Sequence, residues 1–386
     1  MKKHIKLLIV LGIILMGSFS FYLFKGFKKD TLVYENNKVK SSSSGIAMML
    51  ETAAGSGNYE MTTRSEWPTE GYVFNANLSK CENGSELLWD NENKKVLMSG
   101  NISDKCYVYF DVYVKPQVLL ADYVKSLYTG TQGKNGIYYH DASLTNGAGD
   151  NSYRFAGASD QVNNYVCFGS TTTPCPADNL YRIIGVFVDK VKLIKSTSVG
   201  DKAWDDSNNT WSTSSLNTYL NNDFLNAFDE TTKDNIADTT WKVGGNTKDN
   251  IANQPAKTAY QNEIVNPVPG STSSNGETES SAKVGLMYAS DYGFAAAPSA
   301  WTSTLYAYDG EAIKSANWMY LGANEWTISR FAGDSDGAFD VTESGYVTDV
   351  YGRVTNVHGV RPVFSLTSSV SYVSGSGSAT DPISIN

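Results

Sequence analysis

The chain has 386 residues, with 31 lysines and arginines against 40 aspartates and glutamates and a formal net charge of −9 at pH 7. That acidic balance argues against nucleic acid or an anionic lipid surface as partner, because both call for a basic footprint. The length exceeds one average domain, and the texture changes along the chain.

The first element is a continuous apolar run from Leu7 to Phe24, flanked by Lys2, Lys3 and Lys6 before it and by Lys25, Lys28 and Lys29 after it. A run of this length meets the minimum for a bilayer-spanning helix. Residues 1–30 are therefore expected to form a single-pass membrane anchor, its helix over about residues 7–24, with the membrane as partner and the large C-terminal part extracellular. Ser18-Phe19-Ser20 offers the alternative of a cleaved secretory signal, and both readings place the remaining chain outside the cell. Residues 31–58 read as a stalk, since Lys38 to Gly45 contains four consecutive serines.

Residues 59–115 read as a small antiparallel β module. Its strand signals are Tyr72 to Phe74, Glu86 to Trp89, Lys95 to Met98 and Cys106 to Val114, with Asn83-Gly84 and Asp90-Asn91 as turns. Four cysteines, Cys81, Cys106, Cys167 and Cys175, allow three pairings. The simplest joins sequence neighbours, Cys81 with Cys106 and Cys167 with Cys175. Disulfides persist in oxidising compartments, which again points outside the cell. No CxxC spacing is present to suggest zinc.

Pro116 marks a boundary, and residues 116–386 read as a larger α+β domain. Helices are expected over Val118 to Tyr128 and Leu216 to Phe228, from apolar residues at helical spacing. A hairpin is expected from Leu180 to Val188, a turn at Asp189-Lys190, and Val191 to Ile194. Pro267 to Ala282 reads as a polar loop, and short strands follow at Lys283 to Ala289, Glu325 to Arg330, Tyr346 to Val350 and Val360 to Leu366.

Several stretches carry a resemblance. Tyr59 to Pro68, Cys81 to Ser85, Tyr165 to Ser170 and Asn179 to Gly185 resemble a family of uncharacterised membrane-anchored proteins of Gram-positive gut bacteria. Glu325 to Arg330 and Gly359 to Phe364 are similar to domains of unknown function with a C-type-lectin-like fold. The resemblance implies a mixed sheet with two helices and long loops, and no activity. The Glu-Pro-Asn, Gln-Pro-Asp and Trp-Asn-Asp tripeptides of calcium-dependent sugar-binding lectins are missing, and no cysteine follows Cys175 to match the formylglycine-generating enzymes.

Chemistry-bearing residues are few. A Ser-His-acid set would need His140 or His358, and no nucleophile elbow accompanies either. No enzyme is expected. Asp334, Asp336 and Asp340 surround a glycine and could wrap calcium, the one cofactor the pattern offers, although position twelve of the loop is Gly345 and not glutamate. With 24 Tyr, 8 Trp and 15 Phe the chain is rich in rings that stack on sugars. Trp301, Tyr306, Tyr308 and Trp318, with Asp309 and Asn317 as polar partners, form the expected ligand platform. Arg330 and Arg361 could bind a carboxylate or pair with an internal acid. The expected function is recognition of a glycan or protein ligand at the cell surface. The alternatives are a structural or assembly component of the envelope and an extracellular carbohydrate hydrolase.

Overall fold

The computed structural model describes residues 31–32 and 45–386, apart from 69, 102, 115, 268–275 and 350–351. The chain divides into two compact units, residues 1–116 and 117–386.

The smaller unit is built on β8 (Cys106–Val112). Its alternate residues Cys106, Val108 and Phe110 are buried while Tyr107 and Tyr109 are half-buried, the period of two that a one-sided strand requires. Beside it lie β2 (Ile46–Glu51), β3 (Tyr59–Met61), β4 (Tyr72–Phe74) and β5 (Lys80–Cys81), in the order β3-β2-β8-β4 with β5 also on β8. A second sheet joins β1 (Thr31–Leu32), β7 (Lys95–Ser99) and β6 (Glu86–Asp90). Met48, Leu50, Trp67, Val96, Val108 and Phe110 form the core. The Cys81–Cys106 disulfide links β5 to β8, where the two residues are opposite each other. Two expectations change here. The module is mixed, since β2 and β8 run parallel. The segment read as stalk contributes β2, because Met48 and Leu50 alternate into the core as the serine run ends.

The larger unit carries a ten-stranded sheet around the hairpin of β13 (Leu180–Phe187) and β14 (Lys190–Lys195). On one side β14 pairs with β24 (Val363–Ser365), which pairs with β19 (Val284–Gly285). On the other, β13 pairs with β12 (Tyr165–Cys167), and the order continues through β26 (Ile383–Ile385), β25 (Ser371–Ser374) and β9 (Val118–Leu119). The pair of β10 (Ile137–His140) and β11 (Ser152–Phe155) attaches through β11 to β13. A six-stranded sheet has the order β15 (Asp201–Ala203), β23 (Val357–Gly359), β20 (Glu325–Phe331), β21 (Ala338–Val341), β22 (Val347–Thr348), with β17 (Gly245–Asn246) parallel to β20. Six consecutive residues of β13 are buried, an apolar run broken only by Arg182, as expected of a strand covered on both faces. Lastly, β16 (Thr239–Lys242) pairs with β18 (Glu279–Ala282), inside the stretch read as a polar loop.

The α+β, C-type-lectin-like class expected above is thus corrected to a mostly β class with short helices. Regular α-helix is confined among the described residues to α1 (Leu120–Ser126), α2 (Ser215–Tyr219), α3 (Glu230–Asp234), α4 (Ala256–Tyr260), α5 (Ala289–Ala295) and α6 (Glu311–Lys314), none longer than seven residues. The helix expected from Leu216 to Phe228 starts as α2, capped by Ser214, then widens and tightens through residues 220–227. No helix among the described residues is long and apolar enough to cross a membrane, and the anchor helix expected over residues 7–24 lies outside them.

Buried charges brace the larger unit. Arg361 donates to both oxygens of Glu325 at 2.6 and 2.8 Å. Arg182 donates to Asn164, Ser159 and the carbonyl of Trp318. Glu263, whose pKa burial raises against the hydrogen bonds it accepts, takes the N–H groups of Ala289 and Ser290 at the start of α5 and the hydroxyl of Ser329. Buried polar groups in a folded chain need such partners.

Candidate functional site

The aromatic residues expected to form a ligand platform lie mainly in the core. Trp301, Tyr308, Asn317 and Trp318 are buried, and their polar atoms bond to the backbone carbonyls of Ala296, Gly293, Tyr292 and Phe155 respectively. Tyr306 and Asp309 are exposed, with Tyr306 against Tyr346 and the ammonium of Lys248. The six residues thus split between the interior and the surface.

The acidic loop also splits. Asp334 is exposed, Asp336 is half-buried and 3.6 Å from Arg353, and Asp340 is buried on β21. All four residues of β21 are buried, Asp340 with them, and among the described residues no three His, Cys, Asp or Glu side chains are grouped to hold a metal. His140 is enclosed by Phe294 and Trp301, its Nδ1 accepting the N–H of Ala148, and burial pushes its pKa well below the usual value. His358 stacks on Trp326 with ring centres 4.2 Å apart. Arg361 is committed to Glu325, while Arg330 donates to the carbonyl of Glu277.

What the fold does build is a groove of about 490 Å³ in the larger unit. The end of β14 supplies Lys195, Ser198 and Val199 follow it, and Tyr181 of β13 lies alongside. The helical segment after α2 supplies Phe224, Ala227 and Phe228, and Asp229 caps α3 at the rim. Gly169, Asp178 and Asn179 close the other side. This last wall flanks the loop closed by the Cys167–Cys175 disulfide, and the Asn179 amide donates to the carbonyl of Phe168.

Lys195 is the unusual member. It is only 6% exposed, and its one hydrogen bond among the described residues runs 2.7 Å to the backbone carbonyl of Asp178. An ammonium carries three donors, so two are left for other partners. No carboxylate among the described residues forms an ion pair with it, although the Asp178 charge acts from farther away. The Tyr181 ring centre is 5.4 Å from Nζ. Burial pushes the Lys195 pKa down, partly offset by Asp178. A buried cation without an ion-pair partner at the edge of a groove favours an anion arriving from outside.

Another groove, of about 640 Å³ in the smaller unit, is lined by Tyr72, Phe74, Trp89 and Tyr113. Its lysine, Lys94, is half-buried and bonded to Asn91. That groove offers rings without a buried charge.

Residues 188–368 are similar to a family described as Domain of unknown function (DUF6273). No curated protein and no solved structure matches the chain. The matched segment contains Lys195, Phe224, Phe228 and Asp229, whereas Gly169, Asp178, Asn179 and Tyr181 precede it.

The sequence reading missed this groove. Phe224 and Phe228 read as one face of a helix, and nothing in the sequence singles out Asp178. One signal was present: Val191-Lys192-Leu193-Ile194-Lys195 places two lysines in an otherwise apolar strand, and both are buried.

Proposed function

We propose that this is a recognition protein acting outside the cytoplasm, and that the groove beside β14 binds a glycan bearing a carboxylate. The observation that carries the reading is the buried Lys195 ammonium, free of any ion pair among the described residues, in a groove walled by Phe224 and Phe228. A sugar acid satisfies both features. Its carboxylate takes the unused donors of Lys195, and its C–H face stacks on the phenyl rings. Asn179, Ser198, Asp178 and Asp229 meet the hydroxyl groups at the rim. Two disulfides support an oxidising compartment.

The test is calorimetric titration of the chain with N-acetylneuraminic acid, glucuronic acid and glucose. Saturable binding of an acidic sugar but not of glucose is expected, with loss of at least tenfold in affinity for Lys195→Met, about 1.4 kcal/mol or more. Lys195→Met should also raise the stability of the unliganded chain, because it removes a desolvated charge that no anion neutralises. Equal affinity of the variant and the parent for the acid would exclude Lys195 as the recognition group.

A further inference from the structure

Lys192 of β14 and Asp291 of α5 lie away from the residues lining that groove. Both are buried, and Nζ is 2.5 Å from Oδ2. The rings of Tyr288, Phe187 and Trp241 have centres 4.7, 5.6 and 5.8 Å from Nζ and shield it from water. Burial drives the Lys192 ammonium toward the neutral amine, opposed by the charge and hydrogen bond of Asp291, while the Arg154 charge adds to the effect of burial.

The carboxyl is also fixed. Asp291 Oδ2 accepts the N–H of Tyr288 at 3.1 Å, closing a capping box, and Glu263 anchors the next two N–H groups of α5. Oδ1 has no hydrogen-bond partner among the described residues. It lies 3.7 Å from Nη1 of Arg154, which is likewise without one. Arg154 is itself held by Asp150, 2.6 Å from Nη2, and by the hydroxyl of Ser152. An amine thus rests against a carboxyl whose other oxygen faces a spare guanidinium donor.

We propose that Lys192 and Asp291 condense to an intramolecular amide that covalently ties β14 to α5. The Nζ lone pair of the neutral amine attacks Asp291 Cγ and forms the C–N bond, while the carbonyl π pair moves onto Oδ1 opposite Arg154. Oδ2 takes two protons from Nζ, one before the attack as the ammonium becomes the amine and one after it from the newly bonded nitrogen; the π bond then re-forms, the Cγ–Oδ2 bond breaks, and that oxygen leaves as water. One ammonium and one carboxylate give one amide and one water, so no proton is exchanged with solvent and no oxidant or co-reactant is needed. Fixed geometry replaces the bimolecular encounter, and the guanidinium stabilises charge where it develops. The product relieves the chain of two buried charges, whose desolvation opposes the ion pair. The link joins residues 99 apart in sequence.

The experiment is intact-mass measurement of the full chain, reduced and denatured, followed by tandem mass spectrometry of its proteolytic peptides. A mass one water below that of the corresponding linear chain is expected, with a branched peptide joining Lys192 to Asp291. Lys192→Met and Asp291→Ala should each restore the linear mass. A parent chain at the linear mass overturns the proposal, and so does water loss mapped to any other residue. The parent measurement decides the matter even where a variant does not fold.

Discussion

Asp340 carries both carboxyl oxygens into the core of the larger unit without a hydrogen-bond partner among the described residues. Burial, reinforced by the charge of Asp349, pushes its pKa up to about 8, against about 3.9 in an unfolded chain. Between those values the native state keeps a proton that the unfolded state has released. Stability is therefore highest, for this group, below about pH 4, and falls as pH rises through the window, by up to about 1.4 kcal/mol per pH unit. The buried histidines act with the opposite sign. His140 and His358 are held below the usual histidine value mainly by burial, so they oppose folding only as pH drops beneath about 6.5. His358 Nδ1 lies 3.6 Å from Asp340 Oδ2, but above about pH 7 both histidines are mostly neutral in the folded and the unfolded chain, so the interval from about pH 7 to 8 reads the proton of Asp340. Asp340→Asn should flatten the decline in urea midpoint across that interval, since it keeps the shape and cannot release the proton. An unaltered slope would assign the pH dependence to another group.

At the scale of the element, the β13–β14 hairpin shows what was legible and what was not. Its two strands could be read from apolar runs, since both are covered and neither needs alternation to declare itself. The turn was read one residue late: Phe187 pairs with Lys190, leaving Val188 and Asp189 as the loop. Val188 adopts φ of +61° and is 85% exposed, an awkward state for a β-branched residue. Val188→Asn should raise stability by about 1 kcal/mol, because asparagine tolerates the left-handed region and little packing is lost. Thermal or urea denaturation checks this, and a destabilised variant would mean that the exposed valine contributes to packing after all. Another element was hidden for a different reason. Strand β17 has two residues and exists through β20, a partner distant in sequence, so no local pattern marks it, whereas β19 and β22 fall inside stretches read as strands. The groove is hidden in the same way, since Lys195, Phe228 and Asp178 come together only through the pairing of β13 with β14 and the return of the helical segment. Tryptophans misled in the other direction. A cluster of rings in sequence suggested a surface platform, yet Trp301 and Trp318 are sealed with their indole N–H groups bonded to carbonyls.

At the scale of the whole molecule, each unit has its own apolar core and its own disulfide, and the two cores differ greatly in size. Six buried hydrophobic residues form the smaller core, whereas the larger unit's core runs from Leu120 to Ile383. A small core supplies little stability, so a covalent link matters more to it. The Cys81–Cys106 link spans 25 residues and the Cys167–Cys175 link spans 8, so loop-closure entropy also favours the first as the greater stabiliser; its loss should cost about 3 to 4 kcal/mol. Calorimetry of the oxidised chain should resolve two unfolding transitions, one for each unit. Reductant should move the transition of the smaller unit down strongly, or abolish it, while the larger unit keeps most of its heat uptake. The Cys81→Ser, Cys106→Ser double variant should reproduce that loss without reductant, which separates it from any effect of opening the loop beside the groove. A single transition that shifts as a whole on reduction would show that the two cores unfold as one cooperative system, despite their separate packing and separate links.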